Sequence, residues 1–432
     1  MTNEAMRSSR VARYAYAVCA AIAMFPGCSG SQMPINPSGA SQSVAQPGVN
    51  PPSPQSLRSQ PALSHYASHR VRRNVQTEAV LYNFTGGSDG AYPQAGLTNL
   101  GGTLYGTTTF GGASNLGAVS TIAPSGTETV LYSFTGGSDG AYPQAGLTNL
   151  GGTLYGTTSS GGASNIGTVF TITTSGTETV LYSFAGGTDG AYPSAGLTNV
   201  GGALYGTTTH GGASGKGTVF KITTSGTETV LYSFAGGTDG AYPYAGLTSE
   251  NDKLYGTTLG DGGTGCSCGT IFRITTSGAY SQLYSFAGGT DGAGPEASLT
   301  NVSGKLYGTT AIGGGSGCSG SGCGTVFKIT TSGTEKVLYR FAGGKDGASP
   351  QAGLTSVNGT LYGTTNSGGT NDTGTIFAVL AHSGPEIVLY SFAGGTDGAY
   401  PLGGLTNVNG TLYGTTNGGG TSNVGTVFSL SF

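Results

Sequence analysis

The sequence predicts an all-β protein: a seven-bladed β-propeller of four-stranded repeats about 50 residues long, closed by a split blade. Three observations predict it. Gly-Leu-Thr recurs around Leu97, Leu147, Leu197, Leu247, Leu299, Leu354 and Leu405, with Ser298 for Gly in the fifth copy, at spacings of 50, 50, 50, 52, 55 and 51. A period near 50 suits propeller blades, and seven copies fall within the number that closes a ring. Each copy then holds four runs of β-branched and aromatic residues bounded by Gly, Asn and Ser clusters, which read as strands. Finally, the phase is complementary. Glu78–Phe84 is a fourth strand with no preceding three, and the last copy stops at Phe432 after a third strand. Together they make one blade, which satisfies edges that would otherwise template aggregation.

In the second copy the strands are Ala145–Asn149, Thr153–Thr158, Thr168–Thr173 and Thr179–Phe184. Tight hairpins (NLGG and TSGTE) join the first to the second and the third to the fourth. The other two connections, SSGGASNIG and AGGTDGAYP, are longer. Alternate connections of an up-and-down blade share a face, so both long loops emerge on one side. That side is the variable one.

Composition supports a repetitive, turn-rich chain. Of 432 residues 84 are Gly, none is Trp and only 8% are charged, against about 7% Gly and about 25% charge in ordinary domains. Gly does not recur every third residue, which excludes collagen, and 36% hydrophobic residues argue against disorder for the body. Residues 1–75 carry seven Arg against Glu4, whereas the rest carries nine Lys/Arg against eighteen Asp/Glu. An acidic body with scattered cations disfavours nucleic acid, whose phosphates demand clustered positive charge.

The N-terminus reads as an export signal over residues 1–27. Arg7, Arg10 and Arg13 precede an apolar run from Tyr14 to Phe25, then Pro26-Gly27-Cys28. The run is too short to span a bilayer. The stretch resembles a bacterial lipoprotein signal, which implies lipid on Cys28, with Phe25 and Pro26 departing from the usual pattern; an ordinary secreted protein is the alternative. Residues 28–77, rich in Ser, Pro and Gln, read as a disordered tether with a basic HYASHRVRR cluster. Residues 78–432 form the propeller. The expected address is the outer membrane or cell surface.

The repeated unit P-x-A-G-L-T-x-x-G-G-x-L-Y-G-T-T…G-T-V-F-x-I…T-V-L-Y-S-F-x-G-G-x-D-G resembles the GloVer-type extracellular tandem repeat of bacteria over about residues 78–432. The resemblance implies surface location and varied anchors, here of the lipoprotein type. It brings no assigned activity and no catalytic residues.

Candidate chemistry is sparse. Asp89, Asp139, Asp189, Asp239, Asp291, Asp346 and Asp397 recur in G-G-x-D-G. They read either as a carboxylate ring for Ca²⁺ or sugar hydroxyls, or as turn residues bonding nearby amides. The Asn after Gly-Leu-Thr reads as a hairpin residue or a channel-mouth ligand group. The tyrosines of L-Y-G-T-T, Tyr105 to Tyr413, read as packing between blades. Tyr92, Tyr142, Tyr192, Tyr242 and Tyr400 in D-G-A-Y-P are better platforms because they sit in long loops. Copies differ at two loop positions: Gln94, Gln144, Ser194, Tyr244, Glu296, Gln351 and Leu402, and Phe110, Ser160, His210, Gly260, Ile312, Ser367 and Gly418. Both sets are expected on the long-loop face, with Tyr242, Tyr244 and Phe110 as principal contacts. No catalytic constellation assembles. GGASGKGT (211–218) fails as a phosphate loop, since Gly217 follows Lys216 and no helix follows.

Cys266, Cys268, Cys318 and Cys323 fall in the long loops of adjacent copies, where the insertions lie. An even number in an exported chain points to disulfides; three pairings are open, with 318–323 and 266–268 favoured over cross-blade bridges and over a four-thiolate metal site. The expectation is therefore a monomeric, non-enzymatic binding module without cofactor, attached to membrane lipid through Cys28, whose partner is a polysaccharide or a surface protein. A structural envelope protein is the alternative, and a propeller hydrolase or lactonase the third reading.

Overall fold

The computed structural model describes residues 77–263, 265–382 and 386–432. The signal, Cys28 and nearly all of the tether lie outside the described residues. Seven four-stranded antiparallel sheets form, each with its strands in chain order except one. In that one, Thr77–Asn83 pairs with Thr426–Ser431, which continues to Thr411–Thr416 and Thr406–Val408. The register runs from Thr77 opposite Ser431 to Asn83 opposite Thr426. The split blade is thus present.

The innermost strands are shorter than the sequence suggests: Thr148–Leu150 rather than Ala145–Asn149. Carbonyls of the missing segment are claimed from outside the blade. Thr98 Oγ1 donates to the Leu147 carbonyl at 2.5 Å and Thr107 Oγ1 to the Ala145 carbonyl at 2.9 Å, both from the preceding blade. The first of these bonds repeats at every blade junction, and Thr406 donating to Leu97 at 2.5 Å closes the circle. The Thr of Gly-Leu-Thr therefore links blade to blade, each bond contributing about 1 kcal/mol.

Blade seams are packed by the residues that make the strands hydrophobic on both faces. Leu154, Phe170 and Ile172 are buried against Tyr105, Val119 and Phe134 of the preceding blade, while Val169 packs into the following seam with Tyr155 and Phe184. In six seams a Phe at the end of one outermost strand meets the third-strand Phe of the next blade edge-on, at centroid distances of 5.0–5.3 Å. Such a pair adds roughly 1 kcal/mol beyond its area. The seventh seam, between the split blade and the first, has Phe84 but Ser120 in place of the second ring. Ser120 is 2% exposed and its hydroxyl has no partner, as is true of Thr108, whose Thr partner in other blades is Ala118 here.

Each outermost strand carries a β-bulge at the Leu of V-L-Y (Gln282-Leu283-Tyr284 in one blade), for example between Val180 and Tyr182. The bulge turns the Leu carbonyl toward the next blade's outer hairpin. A Cβ on Gly176 would lie 2.7 Å from the Leu131 carbonyl oxygen, so Gly is required there.

Candidate functional site

The two long loops of each blade meet on one face. An isolated bridge joins them in all seven copies, Ala91 to Phe110 in the first. Their glycines touch: a Cβ on Gly111 would come within 2.4 Å of Gly90 Cα. This backbone platform carries the residue after Ala91 in a left-handed conformation. Tyr92, Tyr142, Tyr192, Tyr242 and Tyr400 have φ of 55–59°, with Gly294 and Ser349 in the remaining two blades. A bulky residue held there is strained by about 1–3 kcal/mol.

These five tyrosines belong to consecutive blades and form an arc. Phe110 lies between Tyr92 and Tyr142, at 5.8 and 5.2 Å between centroids, and His210 lies between Tyr192 and Tyr242 at 5.6 and 5.3 Å. Tyr192 and Tyr400 are 41% and 46% exposed. Lys216 Nζ sits 4.8 Å from the Tyr242 ring centre, donates to its hydroxyl at 3.1 Å and approaches Asp261 at 3.9 Å. Burial and the Lys216 charge depress the His210 pKa, favouring the neutral ring. Phe110 and Tyr242 are thus brought into one surface.

Tyr244 is not part of that surface. In Pro-x-Ala-Gly-Leu-Thr the Pro, Ala (Gly403 in the last copy) and Leu are buried while x and Thr are partly exposed in every copy, the period of an extended chain. The Gly, Leu and Thr of this segment line a central cavity of about 380 Å³ in four of the blades, with Ser298 in place of one Gly. Position x therefore faces the same channel, at its mouth on the long-loop side. Gln94, Gln144, Ser194, Tyr244, Glu296, Gln351 and Leu402 ring that mouth rather than decorating loop tips.

The seven aspartates do not present a carboxylate ring either. Asp89 accepts from the Thr85 amide at 2.7 Å, the Thr85 hydroxyl at 2.6 Å and the Tyr82 hydroxyl at 3.0 Å. The amide and tyrosine bonds recur in all seven copies, with Tyr132, Tyr182, Tyr232, Tyr284, Tyr339 and Tyr390 as the phenol donors. The Asp closes its own loop and is turned toward the seam.

Across that seam lies a residue that the sequence reading passed over. Glu78, Glu128, Glu178, Glu228, Glu335 and Glu386 each bring a carboxyl near the Asp of the preceding blade, with Oε1 buried and without a partner. Burial, then the neighbouring Asp charge, pushes Glu78, Glu178, Glu228 and Glu335 up to about 7 and Glu386 to about 8; Glu128 rises for the same reasons. In the seam between the blades that carry Tyr232 and Tyr280, Tyr280 replaces Glu, stacks on Tyr232 at 4.1 Å and donates to the Asp239 carbonyl. The recurrence of Glu in S-G-T-E-T-V was the available signal.

The other candidates resolve as packing. Asn99 Oδ1 accepts from the Gly102 amide at 3.0 Å, closing the inner hairpin, while Gly101 and Gly102 take the left-handed angles. Tyr105, Tyr155, Tyr205, Tyr255, Tyr307 and Tyr413 are buried between blades. Disulfides join Cys266 to Cys268 and Cys318 to Cys323. Among the described residues, no group of three metal-ligating side chains gathers, and no helix is long and apolar enough to cross a membrane.

The family model described as the Gloeobacter/Verrucomicrobia repeat matches residues 68–268, 125–321 and 262–432. No curated protein matches the chain. Among solved structures, a putative 6-phosphogluconolactonase from Bacteroides uniformis is similar at 18% identity, covering 75% of this chain and 90% of its own, with a TM-score of 0.52. A gluconolactonase from Xanthomonas campestris has 14% identity, coverage of 68% and 86%, and a TM-score of 0.42. The nidogen/laminin complex has 15%, 63%, 89% and 0.42. At these identities the likeness concerns the fold alone.

Proposed function

The chain belongs to the Gloeobacter/Verrucomicrobia repeat family, and from that premise we propose that it is a surface-displayed binding module for a repetitive glycan. The observation that carries the reading is the arc of five tyrosines in consecutive blades, each held at positive φ in an exposed loop. Gly294 occupies the same place without strain, so five retained rings argue for a use beyond loop geometry. Aromatic faces suit sugar rings, and equal spacing around a ring suits a polymer, where avidity multiplies weak sites. Lipid on Cys28, after export directed by residues 1–27, would place this face outside the inner membrane.

Two measurements test the reading. The full chain, processed in its host and probed on a glycan array, should give hits confined to repeating polysaccharides. Silence across the array favours a structural envelope role. Labelled fatty acid should enter the wild type and be absent from Cys28→Ala, and an unlabelled wild type that still fractionates with membranes would sink the anchor.

A further inference from the structure

The channel mouth breaks the near-symmetry of the ring at one place. Three of its seven positions are Gln, and the only ionisable groups are Tyr244 and Glu296, which stand on adjacent blades, with the Glu296 charge acting on the Tyr244 phenol. Both side chains are surrounded by protein on nearly all sides yet remain touched by solvent. That combination fits groups that project into the channel rather than into the core or onto the outer surface. Neither makes a hydrogen bond to another described residue, and no Lys or Arg occupies any mouth position or the Gly and Thr rings below it. Below the mouth the wall is backbone: a Cβ on Gly96 would lie 2.5 Å from the Gly404 carbonyl oxygen of the neighbouring blade, so the blades meet there without side chains.

A carboxyl so placed is short of a counter-ion, and desolvation lifts Glu296 to about 7. The missing cation must come with the ligand. An ammonium at the mouth would meet the Glu296 carboxylate and the Tyr244 ring face, with the amides of Gln351, Gln94 and Gln144 around the mouth for hydroxyl groups. Tyr242 of the arc and Tyr244 of the mouth are two residues apart in one loop, which sets the mouth beside the arc.

We propose that the mouth between Tyr244 and Glu296 is a subsite for a protonated amino sugar of the bound glycan. This rests on the glycan reading above and narrows it to polymers bearing free amines. Glu296→Gln is a safe variant, because Gln is native at the same position in three other blades.

The experiment compares a glucosamine hexamer with its N-acetylated counterpart, titrated calorimetrically into the full chain slightly below neutral pH in two buffers of different ionisation enthalpy. The amine form should bind about tenfold more tightly and release a proton as Glu296 ionises. Glu296→Gln should lose the preference and the proton release while keeping its affinity for the acetylated hexamer. Equal affinities in the wild type, or a preference that survives in Glu296→Gln, overturn the subsite and leave the arc standing. Failure of both hexamers to bind overturns the glycan reading, and the subsite with it.

Discussion

Two regions of the long-loop face have the same backbone and opposite side chains. At five junctions a Tyr caps the loop of the preceding blade, and its amide donates to the carbonyl of a plug residue: Tyr142 to Leu116 and Tyr192 to Ile166, both at 2.8 Å. The plug fills the space over a loop glycine, Ile166 over Gly186 for example. At the other two junctions the plug is a half-cystine. Gly294 donates to the Cys268 carbonyl at 3.0 Å and Ser349 to the Cys323 carbonyl at 2.8 Å, with the sulfurs lying over Gly288 and Gly343. Tyrosine is missing wherever the disulfide is present. The hydrogen-bonded platform is therefore indifferent to what covers it, and side chains on this face are free to serve a ligand or the fold.

The largest effect expected from this division is on binding. Replacing Tyr92, Tyr142, Tyr192, Tyr242 and Tyr400 together by Gly, the residue at position 294, should abolish polysaccharide binding in affinity electrophoresis, a loss of about 100-fold or more through lost avidity. Tyr192→Gly alone should weaken it only a few-fold. Retained binding in the fivefold variant with the fold intact would show that the arc is not the contact surface.

A second, smaller effect separates cystine as a cross-link from cystine as a plug. Cys318→Ser with Cys323→Val keeps an apolar plug, as Val424 does elsewhere, and should lose about 2 kcal/mol in denaturant unfolding through the unclosed loop. Cys318→Ser with Cys323→Ser leaves a polar group in that buried site and should lose roughly 1 kcal/mol more. Identical losses would mean that the sulfur contributes nothing as a plug. Glycan affinity should be unchanged in both.

The smallest effect concerns the seams beneath the face. The six Glu have folded pKa values above the usual carboxyl range, so the folded state holds protons that the unfolded chain releases. For Glu78, Glu178, Glu228 and Glu335 the contribution is fully present below the unfolded value of 4.5 and is lost as pH rises through about 7, and for Glu386 through about 8; Glu128 acts in the same direction. The melting temperature should accordingly be a few degrees higher at about pH 5 than at about pH 8. Tyr280→Glu, which adds a carboxyl at the border between the two regions, should steepen that fall. A melting temperature that rises over this interval would mean that the seam carboxyls ionise freely.

The fold was legible because it is written seven times. Gly-Leu-Thr spacing, strand composition and the orphan fourth strand at residue 78 each implied closure independently, and the loop cysteines paired within their own loops as their proximity suggested. The site was legible only in part. Phe110 and Tyr242 could be placed on one face from connection lengths alone. Tyr244 could not be separated from them until Pro-x-Ala-Gly-Leu-Thr was recognised as extended, which sends alternate residues into the channel. The Asp–Glu seam was hidden for another reason: its two carboxyls come from successive copies nearly 40 residues apart, Asp89 and Glu128 for example. A repeat read one copy at a time shows neither as the other's neighbour.

Thr77 and Ser431 lie opposite each other in one strand pair. The described chain is therefore a loop with a nick, and the nick has no privileged location in space. A short linker from Phe432 to Thr77, with new ends opened at the outer hairpin around Ser175, would give a circular permutant with every sheet intact and the split moved to the second blade. Permutation thus separates two properties that the native gene combines: which blade is closed by two chain ends, and which blade follows the tether.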